Sequence, residues 1–158
     1  LKDTTEYEEL ETLHRSGISP IKTHEITGSL RGRSNIVSRL RELIQNAKKE
    51  IVISTSVFDF ENKSRVLIPA IEQALKKQVK VTLALAGPSD KIKKISSKIN
   101  VRPALSESEA RLFIADKTEV LFMITSEKSD EEIGVWLNSP FFAQSISSLV
   151  TAGAKKGN

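Results

Sequence analysis

Cysteine is missing from this sequence, which rules out a disulfide framework and any thiolate metal site. Histidine is nearly missing too. His14 and His24 are the two present, too few for a histidine-rich metal site and far from any serine–carboxylate pattern. Glycine is sparse, 7 in 158 residues, and none stands in the G-x-x-x-x-G-K-[ST] frame that cradles phosphates. The G-x-S-x-G nucleophile elbow is also absent. No apolar run approaches a membrane span, and no secretory leader is recognisable. Leu1 rather than Met opens the chain, as expected of a piece of a longer protein; a reducing, cytoplasmic setting is the default, with no cofactor and no metal.

Charge is present in both signs but unevenly placed, with a net of +4. Residues 1–16 are acidic, while 31–49 and 91–98 are basic. Such stretches suit nucleic acid or another anion, although a solvated helix face is their more common meaning. Direct nucleic-acid binding would need a recognition helix with base-reading residues, and none is evident.

The central stretch, GRSNIVSRLRELIQNAKKEIVISTSVF, opens with an amphipathic helix whose Ile36, Leu40, Leu43, Ile44 and Ala47 recur at three- and four-residue spacing. Ser34 stands where an N-cap would offer its oxygen. Ile51-Val52-Ile53 then reads as a strand buried on both faces. It ends in Ser54-Thr55-Ser56, small hydroxyls at the carboxyl end of a strand, where open α/β sheets place ligands.

Upstream, residues 1–15 predict a helix with Tyr7, Leu10 and His14 along one side, ended by Gly17 and Pro20. So thin a stripe cannot hold a short helix in water, so it must pack on its own domain or pair with a second copy. Ile21 to Thr27 predicts an edge strand. Downstream, 59–64 reads as a polar connection, and a helix over 67–78 carries Pro69 in its first turn. A strand over 79–85 completes a strand–helix–strand unit with parallel strands. A lysine-rich helix capped by Ser89 or Asp90, a short strand near Val101, and a hairpin over 111–124 follow. A charged loop over 126–132 leads to a last strand, 133–137. Pro140 opens a final helix with Phe141, Ile146, Leu149 and Val150 toward the sheet. The prediction is an α/β fold: a mixed, partly parallel sheet flanked by helices over residues 18–158, behind a helical linker or dimerisation segment, 1–17.

The segment Glu109-Ala110-Arg111-Leu112-Phe113-Ile114-Ala115-Asp116 resembles the phospholipase D motif His-x-Lys-x-x-x-x-Asp, with Glu109 at the histidine position and Arg111 at the lysine position. In that frame Glu109 and Arg111 alternate onto one strand face. Asp116 matches, and Asn138 could supply the later asparagine. The resemblance implies a phospholipase D-like fold. A carboxylate at the nucleophile position meets an anionic phosphodiester unfavourably, so catalysis is expected to be absent. Taken together, GSLRGRSNIVSRLRELIQNAKKEIVIST, LIPAIEQAL, VKVTLALAG, RLFIADKTEVLF and GVWLNSPFF are similar to the TrmB family of archaeal transcriptional regulators.

That resemblance implies a winged-helix DNA-binding domain and a dimerising helix ahead of a degenerate phospholipase D-like effector domain, with DNA contacted through the winged helix, which this sequence lacks. It implies a homodimer and a small-molecule effector, a sugar or an anion; the domain that carries sugar recognition in longer members lies beyond residue 158. The candidate ligand-binding residues are Ser54, Ser56, Phe58, Glu109, Arg111, Asp116, Trp136 and Asn138. Arg111 with Arg31 or Arg33 could surround an anion. Phe58 and Trp136 could wall a small pocket beside Asn138, although core is the commoner fate of such a tryptophan. A dimeric phosphodiesterase with one motif per chain is the alternative.

Overall fold

A computed structural model describes residues 26–153. The predicted helix with Tyr7, Leu10 and His14, and the division at residue 17, lie outside the described residues.

The elements in chain order are β1 (Ile26–Arg31), α1 (Arg33–Asn46), β2 (Glu50–Ser56), α2 (Val57–Asn62), α3 (Ser64–Lys76) and β3 (Lys80–Ala86). There follow α4 (Ser89–Lys98), β4 (Ala104–Leu105), β5 (Leu112–Ala115), β6 (Glu119–Met123), β7 (Ile133–Asn138) and α5 (Pro140–Gly153). One seven-stranded sheet has the order β1-β7-β6-β5-β2-β3-β4. β2, β3 and β4 run parallel, and every other pairing is antiparallel. The mixed, partly parallel sheet is the one the sequence predicts.

β2 lies inside the sheet, between β3 and β5, and its aliphatic run feeds two cores. Ile51 and Ile53 pack with Ile36, Leu40 and Ile44 of α1 and Leu67 and Ile71 of α3. Val52 faces the other way, with Ile114, Val120 and Ala143, against which Phe142, Ile146 and Val150 of α5 pack. Phe122 and Phe142 meet there with centroids 5.9 Å apart.

Several local expectations are corrected. The described part of the edge strand is Ile26–Arg31, four residues longer at its far end than the predicted Thr27, and residues 21–25 lie outside the described residues. Ser34 does not cap α1; the cap position is Gly32, whose φ of 88° favours glycine, and no side chain caps the helix. The supposed polar connection 59–64 is largely helical, because Ser56 accepts a hydrogen bond from the Asp59 amide and Val57 and Phe60 are buried. α3 therefore starts at Ser64, and Pro69 sits past its first turn, on the exposed side. Pro88, not Ser89 or Asp90, occupies the cap of α4. The strand near Val101 forms at Ala104–Leu105. In α5, Phe141 and Leu149 point to solvent, 81 % and 68 % exposed, while Ala143 and Ser147 take the buried positions.

The β5–β6 hairpin turns through Asp116 and Lys117, both at positive φ, with the Thr118 amide donating to the Ala115 carbonyl at 3.0 Å. Positive φ at both central residues is what a type I′ turn requires, and an aspartate tolerates it better than most side chains.

Candidate functional site

At the carboxyl end of β2 the chain buries a charge cluster. α2 begins directly after the strand, and its first turn brings Asp59 under the strand end, where Thr55 Oγ1 donates to Asp59 Oδ2 at 2.7 Å. One turn later Lys63 donates to Asp59 Oδ1 and, at 2.9 Å, to Glu132 Oε1. Arg111, entering β5, donates through one nitrogen to Asp59 Oδ1 at 2.9 Å and Glu132 Oε1 at 3.4 Å, and through the other to the Thr125 carbonyl at 2.6 Å. Asp59, Lys63 and Arg111 are each 3 % exposed. Two cations face two carboxylates, so the cluster is neutral as a unit. Beside it, Ser56 donates to Glu127 Oε2 at 2.9 Å.

Burial pushes the Asp59 carboxyl up, but the Lys63 charge and hydrogen bond, Thr55 and Arg111 outweigh it and hold it below the ordinary carboxylate value. The aspartate is therefore an anion at neutral pH. Among the described residues there is no histidine, and no cluster of three or more histidine, cysteine or acidic side chains is placed to hold a metal ion.

Of the sequence-predicted residues, Ser54, Ser56 and Arg111 gather at this end of the sheet. Glu109 does not share a strand face with Arg111, because β5 begins only at Leu112; Glu109 is exposed in the loop before it. Phe58 projects from α2 into solvent, 56 % exposed. Trp136 lies on the α1 side of the sheet, where the Arg39 guanidinium stacks 4.1 Å from its ring and its indole N–H donates to Glu119 Oε2 at 3.1 Å.

Asp116 and Asn138 sit at the opposite end of the sheet, since β5 runs antiparallel to β2 and Asn138 pairs with Glu119. Five residues of extended chain put Asp116 about 16 Å from Arg111. There its carboxylate accepts from the amides of Lys48 (2.9 Å), Lys49 (2.6 Å) and Glu50 (3.0 Å), tying the α1–β2 turn to the hairpin. Burial raises the Asp116 carboxyl, and these amides with the Lys49 charge more than reverse it, leaving it lowered. Arg31 and Arg33 do not join Arg111 around an anion: Arg31 pairs with Glu131 at 2.8 Å on the surface, and Arg33 donates to the Asn62 carbonyl.

Sequence reasoning missed Asp59, Lys63 and Glu132. The Asp59–Lys63 spacing of four residues was the available signal, since such a pair meets on one helix face. Reading 59–64 as a loop concealed it.

The mixed sheet with its flanking helices is a phospholipase D-like fold. Nuc from Salmonella typhimurium, a phospholipase D family member, superposes with a TM-score of 0.62 at 14 % identity, over 81 % of this chain and 96 % of Nuc. NucT from Helicobacter pylori does so with 0.58 at 11 % identity, over 81 % and 99 %. The family model described as "Transcriptional regulator TrmB, EBD N-terminal subdomain" matches residues 29–149, and the chain belongs to that family. TrmBL2, an archaeal chromatin protein with a DNA-binding mode described as novel, is similar with a TM-score of 0.60 at 20 % identity. The match covers 98 % of this chain but 62 % of that one, so the chain spans less than two thirds of this relative. No curated protein matches the sequence. No described helix is long and apolar enough to cross a membrane.

Proposed function

We propose that this domain is the sensing and pairing part of a TrmB-like transcriptional regulator and that it does not cut phosphodiesters. Family membership supports the regulatory role. The observation that carries the absence of catalysis is the closed charge cluster: Arg111, at the position of a phosphate-holding lysine, is bound to Asp59, Glu132 and the Thr125 carbonyl. A phosphate would have to displace two carboxylates to reach it. The nucleophile position holds the exposed Glu109, a carboxylate that meets an anionic substrate unfavourably.

In this reading a small effector binds near the strand ends and biases the arrangement of two subunits, because it fits one arrangement better than the other. The segment with Tyr7, Leu10 and His14 carries the pairing, and DNA is contacted through a winged-helix domain of the full-length regulator, in a cytoplasmic setting. The test is a thermal-shift screen of sugars, phosphates and nucleotides with light scattering in parallel. A bound effector raises the melting temperature by mass action. A fragment that stays monomeric at high concentration removes the pairing, and a silent screen removes the sensing.

The second reading, a dimeric phosphodiesterase, draws on the likeness to Nuc over most of the chain. It requires turnover that depends on Arg111.

A further inference from the structure

The α5 side of the sheet carries a feature that neither family membership nor the charge cluster explains. Along β2, Val52 and Ser54 alternate with Ile51 and Ile53, so Ser54, the first of the three hydroxyls that end the strand, stands on the α5 side. Ser54 is 3 % exposed. Its hydroxyl makes no hydrogen bond to any described residue, yet no sealed side-chain oxygen or nitrogen there lacks a partner. The oxygen therefore keeps a little open surface. That surface gives onto a cavity of about 230 Å³ walled by Leu112 of β5 and by Ile146, Leu149 and Val150 of α5.

The rim is the loop after β4. Its hydroxyls are engaged locally, Ser106 Oγ accepting from the Ser108 amide and Ser108 Oγ from the Ala110 amide, both at 3.1 Å. Among the described lining residues Glu107, an acid, is the one that carries a charge, and none is a cation that would attract a phosphate or carboxylate. A sealed apolar cavity of about 150 Å³ suffices for benzene; this one is larger and opens to solvent past Leu149. We infer that this cavity binds a small uncharged molecule, one ring in size, that is apolar except for a single hydroxyl held by Ser54. The inference deepens the sensing role and rests on it only for what occupancy would signal.

Amide NMR of the full 158-residue chain, titrated with phenol and with toluene, tests it. Both probes should give saturable shifts centred on Leu112, Ile146 and Val150, and Val150→Phe, which fills the cavity, should abolish both. Ser54→Ala should weaken phenol about fivefold, the worth of one hydrogen bond, and leave toluene unchanged. Ser54→Ala carries the test alone if Val150→Phe does not fold. Absence of saturable shifts at millimolar probe, shifts centred elsewhere, or equal effects of Ser54→Ala on both probes would each overturn the inference. A sugar or phosphate found by the effector screen, with neither ring probe bound, would overturn it while leaving the sensing role standing.

Discussion

Replacing Arg111 by Met should cost stability. The guanidinium is 3 % exposed and holds Asp59 Oδ1 at 2.9 Å, Glu132 Oε1 at 3.4 Å and the Thr125 carbonyl at 2.6 Å. Its removal leaves two carboxylates sharing Lys63, a net negative charge in a buried site, and a carbonyl without its donor. Breaking a buried ion pair from one side costs about 3–5 kcal/mol. At about 3 °C per kcal/mol for a chain of this size, the melting temperature should fall by about 10 °C. Asp59→Asn alone should also destabilise, and the double variant should lose less than the sum of the two, with a coupling of about 1.5 kcal/mol or more. Thermal and urea unfolding of the four proteins measures this. A change in Arg111→Met within about 2 °C of wild type, or full additivity in the double variant, would refute the reasoning.

Asp116→Ala should cost about 2 kcal/mol, because the Lys48, Lys49 and Glu50 amides lose a charged acceptor. The pH dependence follows from the lowered carboxyls of Asp59 and Asp116. Their stabilisation is complete above the unfolded-state value near 3.8 and is lost as pH falls through the lower folded-state values. The gap between wild type and Asp116→Ala should thus be constant from about pH 5 to 7 and close in stronger acid, as urea unfolding across that range would show. Gly87→Ala should destabilise by about 1–3 kcal/mol, since φ is 149° and an added Cβ would stand 2.8 Å from Val57 Cγ2; its melting curve checks this.

Much of the architecture is legible in the sequence because its signals are local and strong. α1 shows three- and four-residue apolar spacing, β2 is a β-branched run, and Asp116-Lys117-Thr118 between apolar segments marks the hairpin turn. The elements read poorly are those fixed by tertiary contact. α2 is six residues long and owes its helicity to the Ser56 cap and to burial of Val57 and Phe60. Phe141 and Leu149 fit the apolar spacing of α5, but the small Ala143 and Ser147 are the residues buried there, because which side of the helix meets the sheet is set by tertiary packing that residue type does not encode.

The candidate site was half legible for the same reason. A motif frame finds Arg111, but it treats Glu109 and Asp116 as its neighbours, whereas strand direction sends Asp116 to the far end of the sheet. The partners of Arg111 come from residues 52 and 21 positions away, and pairings that distant leave no mark on one sequence.

The proposed lack of phosphodiester cleavage rests on strand-end cations that are closed against substrate. It is tested by hydrolysis of bis(p-nitrophenyl) phosphate at high protein concentration, below the melting temperature of both, with wild type and Arg111→Met side by side. Both proteins should release p-nitrophenol at the buffer rate. Release by wild type above that rate, lost in a folded Arg111→Met variant, would contradict it.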